Sequence, residues 1–193
     1  MPYPRIRDRE CDILLLIWLY GTIQPNRSSI TIQKMLNREN IVMDATCMGG
    51  IIMEYELQKL DEDTIEQLIC LSKKWKEEDC CYGMEVNTKS DLNEPLAVAL
   101  DKGKIVGYIF GHFYSQEKKT SYIEIGEPCF SIDEFYVLPE HRCMGIGKKL
   151  FQLIEHEVKS QCKYITLSTS TKNYKAILKL YIEELGMNFH SAF

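Results

Sequence analysis

The sequence predicts an α/β fold, a mixed sheet with helices on both faces, preceded by a short extra N-terminal helical segment. Three observations carry this. Residues 130–150, FSIDEFYVLPEHRCMGIGKKL, read as a strand, a short turn, a glycine-bearing loop and the opening of a helix. Residues 96–114 read as a β-hairpin about Asp101-Lys102-Gly103-Lys104. From Met53 onward the apolar pattern gives strand, helix, three strands, helix, strand, helix, strand, an order that builds a mixed sheet.

The first 52 residues stand apart from this pattern. Residues 13–20, ILLLIWLY, are strongly apolar and follow Arg5, Arg7 and Arg9. Asp8, Glu10 and Asp12 argue against a signal peptide, and no small-residue cleavage site follows. The run is shorter than the ~20 residues a membrane helix needs. A short buried or amphipathic helix fits better, and residues 29–37 fit a second, with Ile30, Ile32, Met35 and Leu36 apolar. Met48-Gly49-Gly50-Ile51-Ile52-Met53 also fits the translation of a ribosome-binding sequence ahead of a start at Met53. Residues 1–52 are therefore expected to be an appendage or an over-extended start, and residues 53–193 the functional domain.

A first strand is expected over residues 54–60. A helix follows to about residue 78, capped near Asp63 with Glu66 as its partner. Ile65, Leu68, Ile69 and Trp75 mark its buried face. The polar connection 80–95 has a length often seen at functional loops, and makes a natural lip for a pocket. In the hairpin, Tyr108, Phe110 and His112 share one face, and His112 is open to two readings, a base or a packing residue.

In the strand at residues 130–137, Phe135 and Val137 alternate, and Pro139 ends it because proline cannot donate to a ladder. Leu150, Phe151, Ile154 and Val158 then recur on one helical face. Gly145 and Gly147 at the helix start let backbone approach a ligand closely. The free amides of the first turn and the helix dipole favour phosphate there. The dinucleotide GxGxxG and the GK[ST] of the P-loop are both absent. A strand over residues 164–168, a helix after Asn173 stopped by Gly186, and part of a strand at residues 189–193 complete the chain.

Composition excludes several classes. The net charge of −5, with no basic run, argues against a nucleic-acid binder. The eight cysteines form no CxxC, and the four histidines show no ligand spacing, so no metal is expected. Adjacent Cys80 and Cys81 are awkward for an ordinary bridge, and the thiols read as reduced, structural and cytoplasmic.

The pattern Val137-x-Pro139-x-x-Arg142-x-x-Gly145-x-Gly147, between strand and helix, resembles the acetyl-CoA motif of the GNAT superfamily, the Gcn5-related N-acetyltransferases. The resemblance spans about residues 53–193. It implies the acyl-CoA N-acyltransferase fold and acetyl-CoA as co-substrate. It implies that Arg142, Cys143, Met144, Gly145, Ile146, Gly147 and Lys148 hold the pyrophosphate, and that the strand edge at Phe135, Tyr136 and Val137 pairs with the pantetheine arm. Asn173-x-x-Ala176, Tyr181 and Gly186-Met187 resemble the second motif, which brings Asn173 to the cofactor and makes Tyr181 the candidate acid near the sulfur. Tyr181 lies eight residues after Asn173 where the family commonly has seven.

The reaction implied is acetyl transfer to a primary amine by direct attack in a ternary complex, with a small-molecule or peptide amine as acceptor. Glu134 is the candidate base, since several family members carry a glutamate at this place on the central strand. By strand alternation Asp133 is expected to face away from it. No membrane or nucleic-acid partner is expected, and dimers are common among such proteins. The final strand is short where the family usually has another, and either closure of the acceptor side by a partner or by the N-terminal segment, or a truncated chain, is expected. A non-catalytic acyl-CoA-binding or regulatory module is the alternative reading.

Overall fold

The hairpin is the frame on which the sheet is laid. Strand β3 (Leu96–Asp101) turns through Lys102 and Gly103, both at positive φ, into β4 (Lys104–Ser115). The computed structural model describes residues 30–35 and 53–192. Strand β2 (Met53–Gln58) pairs with the far edge of β3, and β5 (Pro128–Val137) pairs antiparallel with β4. Strand β6 (Tyr164–Thr169) runs parallel to β5.

Helix α1 (Glu62–Glu77) starts at Asp61, whose Oδ1 accepts the Thr64 amide at 2.8 Å. The cap is thus two residues before the expected one. Asp61 leaves Glu62 and Asp63 for the first turn, where the dipole favours acids. Trp75 stacks on Tyr136 with centroids 5.0 Å apart, and Tyr136 tilts against Tyr108 at 5.9 Å. These rings fasten α1 to one face of the sheet.

Helix α2 (Ile146–Val158) covers the other face, burying Leu150, Phe151, Ile154 and Val158 as its spacing requires. Helix α3 (Tyr174–Leu178) runs on into a π-helical turn, Lys179–Glu184, and Gly186 reverses the chain at φ 66°.

Two strands complete the sheet. β7 (Asn188–Ala192) and β1 (Ile30–Met35) bring it to seven strands in the order β2-β3-β4-β5-β6-β1-β7. The helix expected over residues 29–37 is therefore corrected to a strand. Ile30, Thr31 and Ile32 are β-branched, which suits a pleated surface better than a helix. β1 is antiparallel to both neighbours, with Ile30 opposite Thr169 on one side and Ala192 on the other. β1 thus lies beside β6 and separates it from β7. Lys34 pairs with Glu155 of α2 at 2.8 Å, which ties this strand to the helix layer. The apolar run 13–20 and the segment 48–52 lie outside the described residues.

Candidate active site

A β-bulge in β5 shapes the site. Phe110 is opposite Glu134 and Gly111 is opposite Ile132, so Asp133 is the extra residue. Gly111 faces this bulge, where a Cβ would collide with the Ser131 carbonyl. On β4, Tyr108 and His112 project from the same face. Tyr108 Oη donates to Glu134 Oε2 at 2.8 Å, and His112 Nδ1 lies 2.8 Å from both Asp133 oxygens. Both carboxylates therefore turn to the α1 face, and the expectation that Asp133 faces away from Glu134 is corrected. Alternation holds only where the ladder keeps its register.

The connection after α1 roofs these two acids. Asn87 Nδ2 donates to Glu134 Oε2 at 2.8 Å, and Asn93 Nδ2 donates to Asp133 Oδ2 at 3.0 Å. The Asn87 amide is itself anchored on Ser72 Oγ of α1 at 3.1 Å. Sequence reading placed the loop at a pocket lip but missed the two asparagines, since a polar loop carries no spacing that singles them out.

Burial pushes the Glu134 carboxyl up to about 7, against the bonds from Asn87 and Tyr108 that favour its charged form. Both bonds fall on Oε2, and among the described residues none reaches Oε1. Asp133 is also raised by burial, opposed by His112 and Asn93. The His112 side chain is 43% exposed and the Asp133 side chain 1%, so the imidazole stands between the buried acid and solvent.

Beyond Ile132 the parallel pairing of β5 with β6 stops. Glu134, Phe135, Tyr136 and Val137 continue along β4 alone, and their β6-side edge opens as a wedge. At its far end Val137 leads through a 3-10 turn, Pro139–His141, to the glycine loop. Cys143 and Gly145 have positive φ, 63° and 74°, and Gly145 caps α2 in the left-handed conformation. A chain that alternates in this way turns successive amides inward as an anion-binding nest. α2 has no acidic residue in its first turn, so its dipole is unopposed there. Met144, Gly147 and Lys149 are partly buried around the loop, while Cys143, Gly145 and Lys148 are exposed and Ile146 is buried in the core.

The Arg142 side chain does something other than face the loop. Its Nε donates to Val137 O at 2.8 Å, and its Nη2 meets Glu78 Oε2 at 2.8 Å and Oε1 at 3.0 Å. Tyr136 Oη donates to the same carboxylate at 2.5 Å. Arg142 thus locks the loop to the C-terminus of α1, and what it offers an anion is backbone.

Asn173 caps α3. Tyr181 lies in the π turn and is fully buried. Leu185 N bonds Leu180 O at 2.9 Å, a wide turn that takes up one extra residue. The longer spacing from Asn173 is thereby absorbed inside the helix, and Tyr181 faces the protein interior.

A family model described as Acetyltransferase (GNAT) family matches residues 59–187. A Clostridium acetobutylicum protein described as an acetyltransferase, crystallised with acetyl-CoA, is 19% identical; the match covers 67% of this chain and 88% of that one, with a TM-score of 0.50. A protein from Novosphingobium aromaticivorans described under the GNAT family is 15% identical, over 86% and 62% of the two chains, with a TM-score of 0.53. An aminoglycoside N-acetyltransferase in complex with CoA is 14% identical, over 76% and 94%, with a TM-score of 0.50. No curated protein matches by sequence. Among the described residues no helix is long and apolar enough to cross a membrane. The glycine loop, the wedge between β5 and β6 and the family match together make this chain a member of the GNAT acetyltransferase family, whose co-substrate is acetyl-CoA.

Proposed function

We propose that this chain moves the acetyl group of acetyl-CoA to a primary amine by direct attack in a ternary complex. The observation that carries the reading is Glu134, a buried carboxylate raised to about 7, at the mouth of the wedge between β5 and β6. A base of that strength is suited to an ammonium acceptor at neutral pH.

The co-substrate supplies an activated thioester. The amides of residues 143–148 cradle its pyrophosphate, and the Phe135, Tyr136 and Val137 edge aligns its extended arm, which fixes the reacting carbon beside the acceptor. Glu134 takes the proton of the incoming ammonium at Oε1, directly or through water. Asn87 and Tyr108 hold Oε2 so that the carboxylate cannot swing away. A backbone amide near Val137 steadies charge on the thioester oxygen. Tyr181 gives its proton to the departing sulfur. The acceptor is a small amine, drawn by Asp133 and Glu134 side by side; the aminoglycoside enzyme of similar fold is in keeping with that class.

Calorimetry with acetyl-CoA, on the wild type and on Gly145→Glu, tests the loop. Binding is expected for the first and not for the second, because φ 74° and the inserted acid both oppose it. A coupled thiol-release assay across polyamines, aminoglycosides and lysine peptides tests transfer. Binding without turnover of any amine would instead favour a non-catalytic acyl-CoA-binding module.

A further inference from the structure

Cys80 and Cys81 are consecutive, and their sulfurs lie 3.1 Å apart. The transfer reaction uses neither. Cys80 is half-buried and Cys81 is buried, so a small reagent meets Cys80 first. The pair is electrically uneven. The hydrogen bond with Cys81 lowers the Cys80 thiol, and the same bond raises Cys81, so Cys80 is the better thiolate.

These residues also join two loops of the site. Lys172 N donates to Cys80 O at 2.9 Å, Cys81 forms a bridge with Thr171, and Tyr82 N donates to Ser170 O at 3.1 Å. Ser170 Oγ returns a bond to Tyr82 O at 3.1 Å. The clip holds the end of β6 against the start of the connection that carries Asn87 and Asn93. Lys172 immediately precedes Asn173, the cap of α3. Two residues before Cys80, Glu78 anchors Arg142 of the glycine loop.

We propose that Cys80 and Cys81 form a dithiol modification site, which a small peroxide closes to a disulfide and which thereby weakens acetyl-CoA binding. The Cys80 thiolate attacks one peroxide oxygen. The O–O bond breaks, the other oxygen leaves as water after taking a proton, and Cys80 becomes a sulfenic acid. The Cys81 sulfur then attacks the Cys80 sulfur, an S–S bond forms, and the hydroxyl departs with the Cys81 proton as a second water. The two thiols lose two electrons, and the peroxide is reduced to water.

The consequence is geometric. The ring so formed contains the Cys80–Cys81 peptide, whose carbonyl is the acceptor for Lys172 N. Consecutive Cα atoms stand about 3.8 Å apart across a trans peptide, below the usual disulfide span of roughly 4.4–6.8 Å. Closure therefore twists that peptide, takes its carbonyl off Lys172 and leaves a bond that thiols reduce readily. The clip opens on the side that leads to Asn173.

The affinity readout rests on the acetyl-CoA reading above. Protein treated with hydrogen peroxide and digested would be examined by mass spectrometry, and acetyl-CoA affinity measured by calorimetry before oxidation, after it, and after reduction with dithiothreitol. The expected result is loss of two hydrogens from the peptide holding Cys80 and Cys81. Affinity should fall roughly 5–150-fold, the range of ordinary coupling between sites, and dithiothreitol should restore it. Cys80→Ser should bind acetyl-CoA like the wild type and be insensitive to peroxide; Cys81→Ser should stop at the sulfenic acid. Oxidation that spares this pair would overturn the proposal, as would a disulfide that leaves affinity unchanged. Failure of reduced wild-type protein to bind acetyl-CoA would count against the co-substrate reading, and the mass of the oxidised peptide would still decide whether the pair closes.

Discussion

Asp133 and Glu134 are neighbours on β5, and both of their carboxylates face the same side of the sheet. The bulge at Asp133 brings them together, and the two acids are kept apart chemically by separate partners. Asn87 and Tyr108 serve Glu134, while His112 and Asn93 serve Asp133. Asp133 raises the Glu134 carboxyl further, after burial. Glu134 is held among Asn87 and Tyr108, and Asp133 meets solvent through His112.

Glu134→Gln should lower kcat by about 10²–10⁴-fold while leaving acetyl-CoA affinity unchanged, because the amide keeps an oxygen for Asn87 and Tyr108. In the wild type, activity should fall as pH drops through about 7, where the carboxylate takes a proton. That limb should be missing from the residual activity of the variant. A wild-type profile flat from pH 6 to 8, with chemistry limiting, would remove Glu134 from the role of base.

The same carboxyl bears on stability. Its value in the folded protein, about 7, lies above its ordinary 4.5, so the folded state binds the extra proton between those limits. Stability from this group is complete below about 4.5 and is lost as pH rises through 7, by about 3 kcal/mol in order of magnitude. Thermal melts at pH 5.5 and 8 should show Glu134→Gln gaining on the wild type at the higher pH. Equal shifts for both proteins would mean that the site stays hydrated enough to keep the carboxylate ordinary.

Much of this site can be read in the residues, for physical reasons. The loop from Val137 to Gly147 is legible because its chemistry needs particular residue types at particular spacings: a strand end, a proline stop and a glycine at φ 74°. The hairpin and the amphipathic faces of α1 and α2 are legible through their periods. The bulge is not, because one inserted residue breaks alternation without leaving a mark in the sequence 130–137. The π turn is half legible, since the extra residue before Tyr181 can be counted and its absorption in a widened turn cannot. Glu78 and Arg142 are 64 positions apart, and no local pattern joins residues across such a distance.

Arg142 and Glu78 form a clamp with side chains only 6% and 18% exposed. Removing one partner from a largely buried pair leaves the other charge poorly compensated. Arg142→Ala should therefore cost about 3–5 kcal/mol in urea unfolding, and Arg142→Lys should recover little of it. A lysine has no fork to span Val137 O and both Glu78 oxygens. A double-mutant cycle with Glu78→Gln should show that the two costs are far from additive. Additive costs would mean that the two side chains act independently.

Tyr181→Phe should keep the fold, since the ring fills a fully buried place, and should lower kcat about 10²-fold with acetyl-CoA affinity unchanged. Deleting the extra residue, for example Lys179, would remove the need for the π turn and leave Tyr181 in ordinary helical phase. Its activity should stay close to that of the wild type. If Tyr181→Phe turns over as fast as the wild type, the sulfur leaves without help from this hydroxyl.

β1 makes residues 30–35 an inner strand of the sheet. A chain beginning at Met53 loses Ile30–Met35, which occupies the place between β6 and β7. β7 then has no ladder to join, the outer edge of β6 is bare, and Glu155 of α2 loses Lys34. Such a chain should aggregate, or melt without a cooperative transition. Adding a synthetic peptide of residues 26–38 to the short chain should restore solubility and acetyl-CoA binding, because a strand held on both edges can be supplied in trans. A Met53 chain that is soluble, cooperative and able to bind acetyl-CoA would show that the sheet closes without β1.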